Sequence, residues 1–423
     1  MTFAIADITD SNLQVWRGDS RWHSPGYALL DGQQYTFGMA ARAAARRRPM
    51  DINTRYWWEL NTQPLKPALG PARHTADLVH AHLLALHKQA EQPDEVLFAV
   101  SSSMHKDQLA LLLGIVEQCP FEAVGLVNRS VALACQYGGF EKLHHLEIQL
   151  HQAVISQLSE SGGRVELQQV IPVPGCGMLQ LQERLVEIIA AAFISQTRFD
   201  PRRKADTEQG LYDALPDTLR ALANATETNV EVAGYRARID RQDLESAARD
   251  LGQSTLKALG TLNARDRLIL DPVAALLPGL LDQLPQPEKV ESSALCNSVY
   301  QQQQHLLQRQ ETLHFITSLP ILAHGIPPAT QREEPISPAG DPVPVTPTHL
   351  LVEACAHPLV AEGTPIGSDW ELHCDAGSWQ LRGGRDRPIE VNGHPYRPDQ
   401  PLQGGDRLTL DGGLLGQLIE VKQ

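Results

Sequence analysis

Histidines, cysteines and a run of arginines are the side chains in this sequence with the most obvious chemistry, and none has the spacing that chemistry needs. Of sixteen histidines the densest group is His144-His145 with His151. A transition-metal site needs ligands at a regular spacing; this group lacks one, so no metal is expected there. The six cysteines (Cys119, Cys135, Cys176, Cys296, Cys355, Cys374) are scattered, with no C-x-x-C pair. That argues against a zinc knuckle or a disulfide framework and fits a reducing compartment. Arg42 and then Arg46-Arg47-Arg48 lie in an Ala-rich helical stretch. They read as a solvated helix end or as a local anion or partner site.

Bulk properties narrow the classes further. A net charge of -14 over 423 residues disfavours nucleic acid, whose phosphates call for clustered cations. An apolar fraction of 42% is enough for a sizeable core. The start, Met1-Thr2-Phe3-Ala4-Ile5-Ala6-Asp7, has no cationic lead into an apolar signal core. No run approaches the roughly 18 apolar residues of a membrane span. A cytoplasmic chain without direct membrane insertion is expected.

The elements that must position any chemistry are short strands and helices. Residues 3–16 are β-formers broken by Thr9-Asp10-Ser11-Asn12, a hairpin pattern. Residues 74–90 carry Leu78, Val79, His82, Leu83 and Leu86 on one helical face. A buried strand over 95–100 ends in Ser101-Ser102-Ser103, with Ser103 placed to cap a helix over 106–119. A strand over 123–127 leads through Asn128-Arg129-Ser130 into a small-residue helix, 131–137. Strands are expected at 143–150, 153–158 and 165–173, then helix over 179–199 and beyond, and a strand over 229–239. Helix over 241–262, a buried strand at 268–271 and a helix over 273–284 behind Pro272 follow. Helix is expected again over 294–309, before an apolar stretch at 313–322. The Pro-rich composition of 326–348 cannot build a core and reads as a semi-extended tether. Short β runs between Gly turns make 349–423 a small all-β sandwich or barrel.

This order of elements resembles the nucleotide-binding module of the actin and 70-kDa heat-shock chaperone superfamily across residues 1–325. Leu97-Phe98-Ala99-Val100-Ser101 is similar to the family's I-T-V-P-A strand. Leu126-Val127-Asn128-Arg129-Ser130-Val131-Ala132-Leu133-Ala134-Cys135-Gln136-Tyr137-Gly138 resembles its I-I-N-E-P-T-A-A-A-L-A-Y-G. Residues 229–244 are similar to the strand and turn on the adenosine side. The resemblance implies an α/β fold: an actin-like ATPase (duplicated ribonuclease-H-like) body, with the small β domain beside it. It also implies a nucleotide site at Asp7, Thr9, Ser11, Asn128, Glu147 and Asp271.

The motifs are eroded where phosphate would be held. Such a site needs glycine turns whose backbone N–H groups approach phosphate closely, and carboxylates for hydrated Mg²⁺. The family's D-L-G-T-T is Asp7-Ile8-Thr9-Asp10-Ser11, which retains Asp7 but puts Asp10's negative charge where phosphate would sit. Its D-L-G-G-G-T is Glu147-Ile148-Gln149-Leu150-His151-Gln152, without glycine. Its glutamate after Asn is Arg129, and its adenosine-side G-G-S is Asp271-Pro272-Val273. Asp7 reads as a magnesium carboxylate or a turn-capping residue, and Glu147 as an acid or a solvent-facing strand residue. Arg129 could replace a lost cation by pairing with either; Asn128 could be a turn residue. Asp7 and Glu147 alone are too few acids for a two-metal nuclease, and no catalytic aspartate for a kinase can be placed.

Residues 349–423 resemble a forkhead-associated domain. Pro365-Ile366-Gly367-Ser368 is similar to its I-G-R opening. Ile389-Glu390-Val391-Asn392-Gly393 and Leu402-Gln403-Gly404-Gly405-Asp406-Arg407-Leu408-Thr409-Leu410 resemble V-N-G and L-x-x-G-D-x-I-x-L. The arginine that reads phosphothreonine is Ser368 and the S-x-x-H segment is missing, while Asn392 stays. Arg382, Arg385 and Arg387 cluster nearby as a substitute anion or peptide contact. Together these readings lead to the expectation of a non-catalytic scaffold or adaptor, a pseudo-ATPase with no resident cofactor. Its expected partners are proteins, an intact chaperone-family paralogue among them. The alternative is a divergent chaperone-type ATPase that binds ATP and Mg²⁺.

Overall fold

A computed structural model describes residues 3–308 and 313–322, and in the C-terminal part 347–352, 355–360, 363–366, 370–375, 378–383, 389–392, 394–397, 401–410 and 413–419. The chain is mixed α/β and divides into two compact units, Met1–Pro327 and Pro328–Gln423. The tether expected over 326–348 lies almost wholly outside the described residues, as do Ser368, Arg385 and Arg387. Among the described residues no helix is long and apolar enough to cross a membrane.

The first unit is built on two sheets of the same plan. In the first, β1 (Ala4–Ile8), β2 (Leu13–Arg17) and β3 (Ser20–Ser24) form an antiparallel meander. Parallel to β1 runs β4 (Glu95–Val100), reached through helix α1 (Thr75–Gln89). Beside β4 lies β5 (Glu122–Asn128), reached through α2 (Lys106–Val116), and helix α3 (Arg129–Ala134) leaves its end. In the second sheet β6 (Lys142–Ile148), β7 (Gln152–Ser161) and β8 (Arg164–Pro174) repeat the meander. Parallel to β6 lies β9 (Arg267–Leu270), and parallel to β9 lies β10 (Pro287–Lys289). Helices α4 (Met178–Thr197), α5 (Ala205–Leu222) and α6 (Arg249–Leu259) fall between β8 and β9. One short stretch ties the sheets together: Phe315–Ile316 pairs with β5, and Ser318–Pro320 pairs with β8.

The period-2 alternation of the strands decides which residues meet. Ala4, Ala6 and Ile8 of β1 face a core with Leu78, Val79 and Leu83 of α1. Ile5 faces the other way, into a core shared by both sheets with Leu143 of β6, Ile269 of β9 and Val131 and Leu133 of α3. Asp7, two residues from Ile5, and His145 and Glu147, two and four from Leu143, lie on these same faces. Leu146 and Ile148 face a third core with Leu181, Leu185 and Phe193 of α4. Each such fully buried aliphatic side chain contributes roughly 1.5–3 kcal/mol.

Several expected elements change form. The expected strand over 229–239 is a hairpin, Glu227–Val232 and Tyr235–Asp240, because Ala233 (φ 51°) and Gly234 (φ 81°) take the positive φ of a tight turn. The helix expected over 273–284 is a 3₁₀ turn, Ala274–Leu276, and a short helix, Leu280–Gln283, interrupted at Pro278 and left-handed Gly279. His105, not Ser103, stands at the N-terminus of α2. Between β3 and α1 a small sheet of Ala28–Asp31, Gln34–Phe37 and Ile52–Asn53 was not anticipated. The second unit comprises a six-stranded and a three-stranded sheet around Leu350, Leu372, Trp379, Leu408 and Leu418.

Candidate functional site

In both sheets the first strand ends with an acid as its penultimate residue, Asp7 in β1 and Glu147 in β6. The chain leaves the parallel strands next to them at Ser101, Asn128 and Asp271. Carboxyl ends of parallel strands are where such sheets place ligands. Here they converge on one side chain of the chain itself, Arg129.

Asn128 caps α3, its side chain accepting from the Val131 N–H at 3.0 Å, and this fixes Arg129 at the first helical position. The guanidinium reaches Asp7 with Nε–Oδ1 at 2.7 Å and Nη2–Oδ2 at 3.4 Å. Its Nη1 lies 3.0 and 2.9 Å from the two Asp271 oxygens and 3.3 Å from Glu147 Oε2. Side-chain exposure is 6% for Arg129, 3% for Asp7, 0% for Glu147 and 9% for Asp271, so water offers little of the solvation these ions need. The remaining lone pairs are met by neighbours. Gln149 Nε2 donates to Glu147 Oε1 at 2.7 Å, Ser101 Oγ donates to the same oxygen, and His145 Nε2 sits 3.0 Å from Asp271 Oδ1.

Three carboxylates share one guanidinium, and Asp7 and Asp271 shift in opposite directions. Burial raises Asp7, and Arg129 only partly offsets it. Burial also works to raise Asp271, but Arg129 and then His145 more than reverse it, to about 2. Arg129 itself is held well above its usual value: desolvation lowers it, and Asp271, Asp7 and Glu147 outweigh that. Glu147 is therefore not the solvent-facing strand residue its sequence allowed, nor is Asp7 a turn cap; each is a buried partner of Arg129.

Ligand atoms of His145, Glu147 and Asp271 come within 4.8 Å of one another, close enough to hold a metal ion. The same Glu147 and Asp271 oxygens already accept from Arg129 Nη1 at 2.9–3.3 Å. A divalent cation and the guanidinium would compete for one place, so the donor set fits a cation that the protein supplies itself. Beyond His145 the network continues through Ser130 (Oγ–Nδ1 2.9 Å) to Ser102 (Oγ–Oγ 3.1 Å). Ser130 and His145 are fully buried, so this Ser–His–Asp chain is sealed from any substrate.

Both hairpin turns are bonded across to each other. The Leu150 N–H, in the second turn, donates to Asp10 Oδ1 in the first at 2.7 Å. A carboxylate thus takes the backbone donor that a phosphate would take in a glycine turn. Burial pushes Asp10 up to about 7, against the Leu150 hydrogen bond. Thr9 is buried, and its hydroxyl lies 3.5 Å from that of Ser11. Close backbone approach survives in a different form. Gly177, before α4, packs against the back of the second turn, where a Cβ would come within 2.3 Å of the His151 carbonyl carbon.

Beside the turns a cavity of about 430 Å³ opens between residues of both halves, with Tyr27, Met39, Leu150, Leu185, Leu219 and Leu277 in its wall. In the second unit Asn392 is spent internally. At φ 54° its side chain donates to Asp406 Oδ1 at 2.7 Å and accepts from the Arg407 N–H at 2.9 Å. Arg382 is exposed on the strand Ser378–Gly383, opposite Glu371.

His145, weighed only as a metal ligand, and Gln149, given no role, had a readable signal. The alternation of β6 places His145 on the face of Glu147. That Asp10 would set a charge where phosphate would sit was legible; its bond to Leu150, 140 residues away, was not. No protein-family model matches this chain, and no curated protein matches it.

Proposed function

We propose that the first unit is a degenerate actin-like body of duplicated ribonuclease-H-like design, a pseudo-ATPase that serves as a non-catalytic scaffold for protein partners in the cytoplasm. Two sheets with the same order of strands support the duplicated design. The observation that carries the loss of catalysis is Arg129. A permanent guanidinium lies 2.7–3.3 Å from the Asp7, Glu147 and Asp271 oxygens, where a nucleotide's hydrated magnesium would need them. The bond from Leu150 to Asp10 closes the path between the turns to a phosphate chain. The second unit is read as a forkhead-associated-like docking module. Its Asn392 amide is engaged by its own chain, which supports docking rather than phosphopeptide reading.

Calorimetric titration of the full chain with Mg-ATP is the test, and no binding heat is expected. Micromolar binding that is lost in Asp7→Asn would overturn the reading. One observation favours a second reading, a divergent nucleotide-binding body: the interlobe cavity of about 430 Å³ is within the range of small-molecule sites. Binding of adenosine, but not of ATP, in the same titration would distinguish it from an ordinary ATPase.

A further inference from the structure

The arginine run of the first half is not a solvated helix end. Arg42 closes the short helix Gly38–Arg42, and Arg46 and Arg47 follow it in turns. All three reach the second half. Arg42 Nη2 donates to the Tyr212 carbonyl at 2.8 Å, and the Arg46 guanidinium lies over the Tyr212 ring at 3.8 Å. Gln209, 1% exposed, accepts from the Arg46 N–H at 2.9 Å and donates to the Arg42 carbonyl at 3.2 Å. Arg47 pairs with Asp206 at 2.8 Å, and Arg46 with Glu183 at 3.5 Å and Glu208 at 3.8 Å. Beneath them Tyr27, Leu29 and Ala41 of the first half pack on Leu150 of the second. Deeper still are the bond from Leu150 to Asp10 and the Arg129 cluster.

These contacts cross the cleft at three depths, each made by the chain's own side chains and backbone. We propose that the cleft is clasped shut by the chain's own side chains, so that closure is its resting state and the outer arginine layer is the latch that releases first. The outer pairs are the salt-sensitive part: the side chains of Arg47 and Asp206 are 51% and 82% exposed and open to screening. The Gln209 bridge and the Arg129 cluster are buried and are screened much less. The inference holds whether or not a nucleotide can enter the cleft.

Two backbone amides report the state directly. The Arg46 and Leu150 N–H groups both donate across the cleft, so their hydrogen exchange requires it to open. In the full chain both should be protected without any ligand. A variant with Arg47→Glu and Gln209→Ala should exchange at least tenfold faster at Arg46, with a smaller change at Leu150. Exchanging the charges, Arg47→Glu with Asp206→Arg and Gln209 intact, should restore protection to within about threefold. Raising NaCl from about 0.1 to 1 M should speed exchange at Arg46 before Leu150. Unchanged exchange at Arg46 in the first variant would overturn the proposal. If that variant unfolds, the charge-exchanged chain decides, and its failure to recover protection counts against the clasp.

Discussion

The two halves of the first unit set their residues at corresponding positions and fill them with different chemistry. Both carry a buried acid one residue before the end of the first strand, Asp7 or Glu147. At the next strand end the first half has Ser101, the second Asp271; one strand further, the first has Arg129 and the second has Val290. One half therefore brings the cation and the other the surplus of anions. A symmetrical pair would have left like charges facing across the cleft, at a cost in a medium of low dielectric. The junction therefore sets opposite charges against each other.

If that complementarity holds the halves together, Arg129→Ala should produce the largest effect. It would leave buried carboxylates with no cation and lower stability by about 3–5 kcal/mol in denaturant titration. Arg129→Lys keeps the charge but not the fork that spans Asp7 and Asp271, and should fall between. Equal stability of all three chains would mean that the pairing does not matter.

The turn-to-turn bond gives a smaller and pH-dependent effect. Asp10 has its folded value raised to about 7 from an ordinary 3.8, so the folded state binds the extra proton between those values. Its contribution to stability is therefore present at acid pH and lost as pH rises towards 7. Asp10→Asn can still accept from Leu150 but cannot ionise. Its stability relative to the native chain should rise by about 3 kcal/mol between pH 5 and pH 8. A flat difference would remove Asp10 as a titrating contact.

The smallest effect is expected in the second unit, where a local turn replaces an interlobe junction. Asn392→Ala loses the bonds to Asp406 and Arg407 in a left-handed conformation and should cost about 1 kcal/mol. Asn392→Gly, which suits φ 54°, should cost less, as thermal melting of the full chain would record.

Much of the strand order was legible because period and length are local properties. The hairpin at 3–16, the strand Glu95–Val100 and the helix Thr75–Gln89 follow from alternation and from a 3.6-residue stripe. The possible pairing of Arg129 with Asp7 or Glu147 was raised by the family resemblance, which puts all three at one site. The resemblance put Asp271 at the same site as well, but its pairing with Arg129 was not among the readings. Of the two readings of the arginine run, a solvated helix end does not describe Arg42 and Arg46, and the groups they meet lie far off in sequence. Nothing near Arg46 in sequence announces Tyr212 and Gln209. Short breaks such as Pro278-Gly279 were signalled by composition and were outweighed by the apolar residues around them.

The stretch that pairs Phe315–Ile316 with one sheet and Ser318–Pro320 with the other has a consequence for how the chain reaches its fold. Neither sheet is complete until residues made well over a hundred positions after its own meander have arrived. Such non-local pairing slows folding and leaves strand edges open in the meantime. During synthesis β5 and β8 would wait with unpaired backbone edges until the same few residues closed both. Refolding of a chain ending before residue 313 should then be the most aggregation-prone step in its biogenesis.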